Sequence, residues 1–272
     1  MIDFPSRKTA PIMPEQPRVS PPWFSVYALA PYEGTEPPFH DCTEYFWASQ
    51  IEQIWPVFLE ELENWLRAGG RATPYFRQSM ASGGQWKTLP LMTWGLEYHR
   101  TMRHFPRSMA ALAQIDGLVS VAFNVLEAGA RIAPHYGDTN CAIRFHLPLK
   151  VPGALPTVGI QVGEERRSWQ TGKLLGFTDG YVHSAWNDSA QDRYILLLDV
   201  IRPGYRQKKQ MICATVLGSL AVQALFQHQL TWLQSHPRVL RLIHSMARLS
   251  AWALSPLFNV ASRALALVSR KN

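Results

Sequence analysis

Two histidines in this chain stand where they could hold a metal: His135 in Pro134-His135-Tyr136-Gly137, and His183 in Asp179-Gly180-Tyr181-Val182-His183-Ser184-Ala185-Trp186-Asn187. Neutral imidazole is a common ligand for first-row metals, although a single histidine at the end of a strand is more often structural than a ligand. The neighbours of the pair carry more information. In Ile143-Arg144-Phe145-His146-Leu147-Pro148-Leu149 the apolar residues alternate, so Arg144 and His146 project together from the opposite face of one strand. If that face is buried it needs an anion, because an unpaired guanidinium in a protein interior is very costly. A third cation, Arg193, opens an apolar run over 194–200. Its planar guanidinium could grip one end of a dicarboxylate, or form a salt bridge to Asp192 or Asp199.

Elements able to position these groups can be read from periodicity. From Val119 onward the hydrophobic period is two, with strand-like runs at 119–126, 131–136, 141–149, 158–163, 173–177 and 194–201, which predicts an all-β sandwich or barrel. Upstream, Trp55, Phe58, Leu59, Leu62, Trp65 and Leu66 recur at helical spacing within 44–68, where Pro56 starts or kinks a helix. A shorter helix is expected over 106–114. Nine prolines in the first 40 residues predict an extended arm over the body. After Arg202-Pro203-Gly204 the strands stop, and 211–268 reads as helix interrupted at Pro237 and Pro256. The expected organisation is an arm over 1–43, a domain over 44–205 and a helical tail over 206–272, with no internal repeat. A chain ending near Lys209 should therefore fold and keep the chemistry.

At 272 residues, 47% hydrophobic and 17% charged, the chain has the composition of a globular protein with a sizeable core. Cys42, Cys141 and Cys213 form no C-x-x-C pair, which excludes a disulfide scaffold or zinc knuckle and fits a reducing cytoplasmic compartment. The N-terminus lacks the apolar stretch of a secretory leader. Net charge is +7, yet the last acidic residue is Asp199: ten basic residues follow it, and the first 199 residues carry a net −3. A basic apolar tail on a mildly acidic body points to an anionic membrane surface or acidic partner rather than to nucleic acid. The apolar run over 211–226 falls short of the ~20 residues that span a bilayer. Over 238–254, Arg238, Arg241, Ser245 and Arg248 form a stripe against Val239, Leu240, Leu242, Ile243, Met246, Leu249 and Trp252, the pattern of a helix lying in a membrane interface, peripheral on the inner face. A lid or a dimerisation surface is the competing reading.

Taken together, Pro134-His135-x-Gly137-x-x-Asn140, Arg144-x-His146-Leu147, Trp169-x-x-Gly172-Lys173, Phe177-x-Asp179-x-x-x-His183-x-x-Trp186-Asn187 and Arg193 leading to Asp199-Val200-x-Arg202-Pro203 resemble the aspartyl/asparaginyl β-hydroxylase family, with Gln85-Trp86-Lys87-Thr88-Leu89 also in register. The resemblance covers about 119–204, leaving the arm and tail outside it. It implies a mainly β fold, a double-stranded β-helix (cupin-like jelly roll) with flanking N-terminal helices and a C-terminal helical extension. It further implies a dioxygenase using Fe(II), 2-oxoglutarate and O2, with His135 and His183 as metal ligands, Arg193 on the distal carboxylate of 2-oxoglutarate, and Arg144 and His146 beside its chelating end. Asn124 stands where the family often has Ser, and its amide can still donate to a carboxylate. Gly137 stands where most non-haem oxygenases place an Asp or Glu ligand. Strand alternation turns Asp138 away from the metal, while Asp179 is expected to orient His183 or to serve as a turn residue. Trp86, Trp94, Trp169 and Trp186 are candidates for a channel lining or for the core. The implied acceptor is a peptidyl or amino-acid β-carbon, with the acyl chain of a bacterial membrane lipid as the alternative. A halogenase using the space at Gly137, and a non-catalytic lipid-surface adaptor, are the readings from other classes.

Overall fold

In the computed structural model the described residues are 20–27, 31–226 and 228–268. In chain order the strands are β1 (Phe39–His40), β2 (Thr73–Pro74), β3 (Ala81–Ser82), β4 (Trp86–Thr93), β5 (Leu96–Glu97), β6 (Leu118–Leu126), β7 (Arg131–His135), β8 (Ala142–Lys150), β9 (Val158–Val162), β10 (Glu165–Arg167), β11 (Leu175–Phe177), β12 (His183–Asn187) and β13 (Arg193–Ile201). The α-helices are α1 (Ala48–Gln53), α2 (Trp55–Arg67), α3 (His99–Met102), α4 (Pro106–Leu112), α5 (Lys209–Leu225), α6 (Leu230–Ser235) and α7 (Pro237–Val268). Two antiparallel sheets face each other in a double-stranded β-helix: one runs β1-β11-β8-β13-β6-β4-β2 with β5 on β4, the other β10-β9-β12-β7-β3.

Strand alternation sorts the larger sheet into two faces. Val121 and Phe123 on β6, Phe145 and Leu147 on β8, and Leu196 and Leu198 on β13 pack outward against Trp47, Phe58, Leu62, Phe105 and Leu112 of the N-terminal helical layer. The intervening residues, among them Asn124, Arg144, His146, Arg193 and Asp199, face the barrel interior and are the polar ones. At that end of the barrel Leu126, Ile132, Ile160, Trp169 and Phe177 form a second apolar cluster between the sheets.

Six expected strand regions correspond to β6, β7, β8, β9, β11 and β13, within one or two residues at most ends. Two strands that position the site escape the periodicity. β4 carries Pro90 in mid-run, tolerated because the β4–β6 register shifts between Pro90 and Met92. β12 reads His-Ser-Ala-Trp-Asn, too short and too polar to announce itself, yet His183, Ala185 and Asn187 are buried on alternate positions. Pro56 sits in the first turn of α2, where its missing N–H costs nothing. Pro256 does not interrupt α7: Asn259 and Ser262, one and two turns on, accept from the backbone N–H groups of Glu97 and His99 and hold the helix on the body beyond the lost bond.

The described part of the N-terminal arm lies against the body. Asn140 accepts from the Trp23 N–H and donates to the carbonyl of Pro21, and Glu36 pairs with Arg202 at 2.7 Å. The helices after β13 are not a detachable tail. Ile212, Cys213 and Val216 of α5 bury Trp94, Val119, Ala142 and Ile201, so a chain ending near Lys209 would expose part of the core, contrary to the expectation from sequence.

Candidate active site

β7 and β12 are antiparallel neighbours, and their register sets His135 directly opposite His183. The two rings lie side by side with centroids 4.2 Å apart. Each is fixed by the same local device: Nδ1 of His135 donates to the carbonyl of Ala133 and Nδ1 of His183 to that of Tyr181, both at 2.9 Å. A carbonyl can only accept, so each neutral ring carries its proton on Nδ1 and leaves the Nε2 lone pair free. Burial depresses both pKa values, His135 to about 3 with the neighbouring His183 contributing, and His183 to about 4. At neutral pH the pair is therefore two uncharged nitrogen donors.

Gly137 explains the missing carboxylate. A Cβ on Gly137 would lie 1.5 Å from Oδ2 of Asp179, so this carboxylate fills the space that a side chain at 137 would need. Asp179 comes from the turn before β12, and its Oδ1 lies 3.6 Å from Nε2 of His183. Among the described residues no group of three or more His, Cys, Asp or Glu side chains converges as a metal site.

Arg144 projects inward as alternation requires, and the chain supplies its anions. Its Nε and a terminal nitrogen hold Asp199 at 2.8 and 3.0 Å, and the other terminal nitrogen holds Asp179 at 2.6 Å. Burial works against the guanidinium charge, but the two carboxylates outweigh it and raise its pKa. Burial likewise raises the Asp199 carboxyl, with Arg144 acting against it.

Arg193 is the contrast. Only 2% exposed, its Nε and one terminal nitrogen have no hydrogen-bond partner, and its guanidinium rests 4.5 Å above the Trp169 ring. Neither salt bridge allowed by the sequence forms, since Asp192 caps the N–H of Ala128 and Asp199 is taken by Arg144. Burial alone lowers its pKa to about 9. A cation–π contact is worth roughly 2 kcal/mol when desolvated, less than the several kcal/mol of burying an ion, so the charge of this side chain is left under-compensated. Beside it Trp169 donates to Nδ1 of His146 at 3.2 Å. With burial first and Arg193 second holding its pKa well below the ordinary histidine value, His146 stays neutral with its proton on Nε2. Asn124 accepts from the Trp86 indole at 3.2 Å, which leaves its amide nitrogen to donate elsewhere.

Next to His135 a cavity of about 350 Å³ runs inside the larger sheet. Its walls pass from Trp86, Asn124 and His135 along Pro90, Ala122 and Leu197 to Trp94, Tyr98 and Leu220. Of the four tryptophans weighed from sequence, Trp86 and Trp94 line this cavity, Trp169 underlies Arg193, and Trp186 lies outside against Arg166. Sequence reading missed Tyr75, Phe76, Arg77 and Met80, which line the wall from an irregular segment with no periodicity to flag it. Asp138 also lines the cavity, 3.9 Å from Arg77, and burial pushes its carboxyl up to about 6.

Comparison with known proteins gives a family model described as Aspartyl/Asparaginyl beta-hydroxylase over residues 52–203. The ornithine lipid ester-linked acyl 2-hydroxylase of Rhizobium tropici is 32% identical over 173 residues, 61% of either chain. Mouse aspartyl/asparaginyl beta-hydroxylase is 28% identical over 131 residues, 46% of this chain and 17% of the mouse protein. Human aspartate beta-hydroxylase domain-containing protein 2 is 31% identical over 137 residues, 47% of this chain and 36% of the human one. The match thus spans less than two thirds of each relative. Among solved structures, a Thermotoga maritima protein described as a predicted oxalate decarboxylase aligns with a TM-score of 0.33 and 14% identity, over 48% of this chain and 95% of that one.

Proposed function

The chain belongs to the aspartyl/asparaginyl beta-hydroxylase family, and from that membership we propose that it is an Fe(II)- and 2-oxoglutarate-dependent dioxygenase whose acceptor is the acyl chain of a membrane lipid. The observation that carries the cofactor reading is the unpartnered buried Arg193 within the same barrel as two neutral histidines whose Nε2 atoms are free. Those residues fit the group: His135 and His183 would hold the iron, and Arg193 the distal carboxylate of the oxoacid. Bound iron with 2-oxoglutarate and O2 supplies an oxidant able to take hydrogen from an unactivated C–H bond, the cosubstrate leaving as succinate and CO2.

The remaining work falls to this chain's residues. Arg193 fixes the oxoacid by a charge-assisted bond in a dry site, with the Nε2–H of His146 and the Asn124 amide as neighbouring donors. The carbonyls of Ala133 and Tyr181 keep both imidazoles in the ligating tautomer. Arg144 holds Asp179 against the His183 edge and Asp199 beside it, so neither carboxylate swings into the substrate path. The cavity walls exclude water from the bound chain and present one carbon near His135.

The lipid acceptor is supported by the apolar stretch of the cavity, from Pro90 and Ala122 to Leu197 and Leu220, and by likeness to the acyl hydroxylase. It would set the enzyme on the cytoplasmic face of a membrane. A peptidyl or amino-acid acceptor is the second reading, favoured by the Arg77–Asp138 pair on the cavity wall, which could hold a zwitterion. Mass spectrometry of lipid and peptide extracts from cells with and without the active enzyme tests both. A gain of one oxygen on a fatty acyl chain is expected, and its appearance only on a peptide or amino acid would overturn the lipid reading.

A further inference from the structure

Helix α7 buries one side on the body and leaves a second apolar side uncovered. Its inner side packs on the body through Leu240, Ile243 and Ala247 and through polar groups: His244 is buried against Ser219 and the carbonyl of Thr215, Asn259 accepts from the Glu97 N–H and donates to the Gly95 carbonyl, and Ser262 accepts from the His99 N–H. The opposite face carries Val239, Leu242, Met246, Leu249, Leu257 and Val260 at spacings of three, four and eight, which is one stripe of an α-helix. The middle of that stripe is about two-thirds exposed, with Leu242 at 64%, Met246 at 63% and Leu249 at 60%. From Val239 to Leu267 the stripe is roughly 42 Å long at 1.5 Å per residue, and exposed Trp252 flanks it.

We propose that this outer face of α7 docks on an anionic lipid bilayer, with the helix lying in the membrane surface. Charge selects the occupant. Over 209–268 the charged residues are Lys209, Arg238, Arg241, Arg248 and Arg263, with no Asp or Glu. A second copy on the same stripe would bring like charges together with no acid to complement them, whereas anionic headgroups meet arginines beside an apolar face. The helix is long and apolar enough to cross a membrane, but its bonds to Gly95, Glu97 and His99 keep one side on the protein, so the outer stripe alone is free to meet lipid. The placement also serves the site. Phe258 of α7 packs edge-on against Tyr98 at 5.9 Å, and Tyr98 lines the far end of the cavity that begins at His135.

The docking face rests on the lipid reading for its use, but its test does not. Co-sedimentation of the whole protein is measured with phosphatidylglycerol vesicles and with neutral phosphatidylcholine vesicles, without turnover. The expected result is binding to the anionic vesicles about tenfold tighter than to the neutral ones, released as salt rises. Replacing Leu242, Leu249 and Leu257 together by Ser should weaken it about tenfold, with helical content and uncoupled 2-oxoglutarate turnover unchanged. Arg238→Glu with Arg241→Glu and Arg263→Glu should remove the preference for anionic lipid, which guards against misfolding of the first variant. No binding by the intact protein, equal binding by the Ser variant, or a lipid-free dimer that the Ser variant dissolves would each overturn the proposal. A protein that docks but hydroxylates no lipid would sink the lipid reading and leave the docking face standing.

Discussion

Each of the two protein donors carries half of the proposed iron clamp, so His135→Ala and His183→Ala should each abolish iron-dependent succinate formation while leaving the circular dichroism spectrum unchanged. Full turnover at matched iron loading would remove the pair from the site. Arg193 has no internal anion to lose, so Arg193→Ala should spare the fold and raise the 2-oxoglutarate requirement selectively; truncating a buried charge pair costs about 2 to 5 kcal/mol, or tens- to thousands-fold. Unchanged cosubstrate dependence, measured by titration at fixed acceptor, would make Arg193 structural. Asp138 makes a prediction in pH. Burial lifts its carboxyl from 3.8 to about 6 in the folded protein. Between those values the folded state binds the extra proton, so stability falls as pH rises through that window and the full cost is present above pH 6. Asp138→Asn should thus stabilise the fold at pH 7.5 by at most about 3 kcal/mol, seen as a higher melting temperature, and give no gain near pH 4. An equal effect at both pH values would contradict the assigned cause.

Among the elements, the β7–β12 pairing matters most, because register alone puts His135 and His183 across from each other. The α5–α7 contact is the next constraint. A Cβ on Gly218 would meet the backbone of Arg248 at 2.9 to 3.0 Å, so the helices approach as closely as a glycine permits. Gly218→Val should force them apart and destabilise the protein by about 1 to 3 kcal/mol, seen in chemical denaturation as a lower midpoint. Tolerance of valine would mean that α7 sits less tightly on α5. Gly137 acts likewise on a smaller scale: with Asp179 filling the space of its Cβ, a carboxylate introduced at 137 would evict the partner of Arg144 rather than add a metal ligand.

On the scale of the whole molecule, the barrel interior is polar around His135, Arg144 and Asp199 and apolar toward Trp94 and Leu220, and the helices after β13 close the apolar end. Deleting everything after Lys209 should therefore yield an insoluble or molten chain, since Trp94, Val119, Ala142 and Ile201 would lose their cover. Soluble expression of that chain with retained turnover, assayed by gel filtration and succinate release, would show the helices to be dispensable.

The candidate site residues were legible because their types and spacing are local facts: alternation alone turned Arg144 and His146 inward, and the motif order from His135 to Arg202 named the family. Strands β6, β8 and β13 were legible for the same reason, each being nine residues long and largely apolar. What sequence could not decide were pairings between distant segments. Arg144 and Arg193 look alike as inward cations, and only the fold gives two carboxylates to the first and none to the second. Amphipathic spacing in α7 revealed a stripe but not which side the body would take. That depended on backbone groups at Gly95, Glu97 and His99, more than 160 residues upstream of Asn259 and Ser262, and on the apolar seat for Leu240, Ile243 and Ala247, which together turned the Leu242–Met246–Leu249 stripe outside.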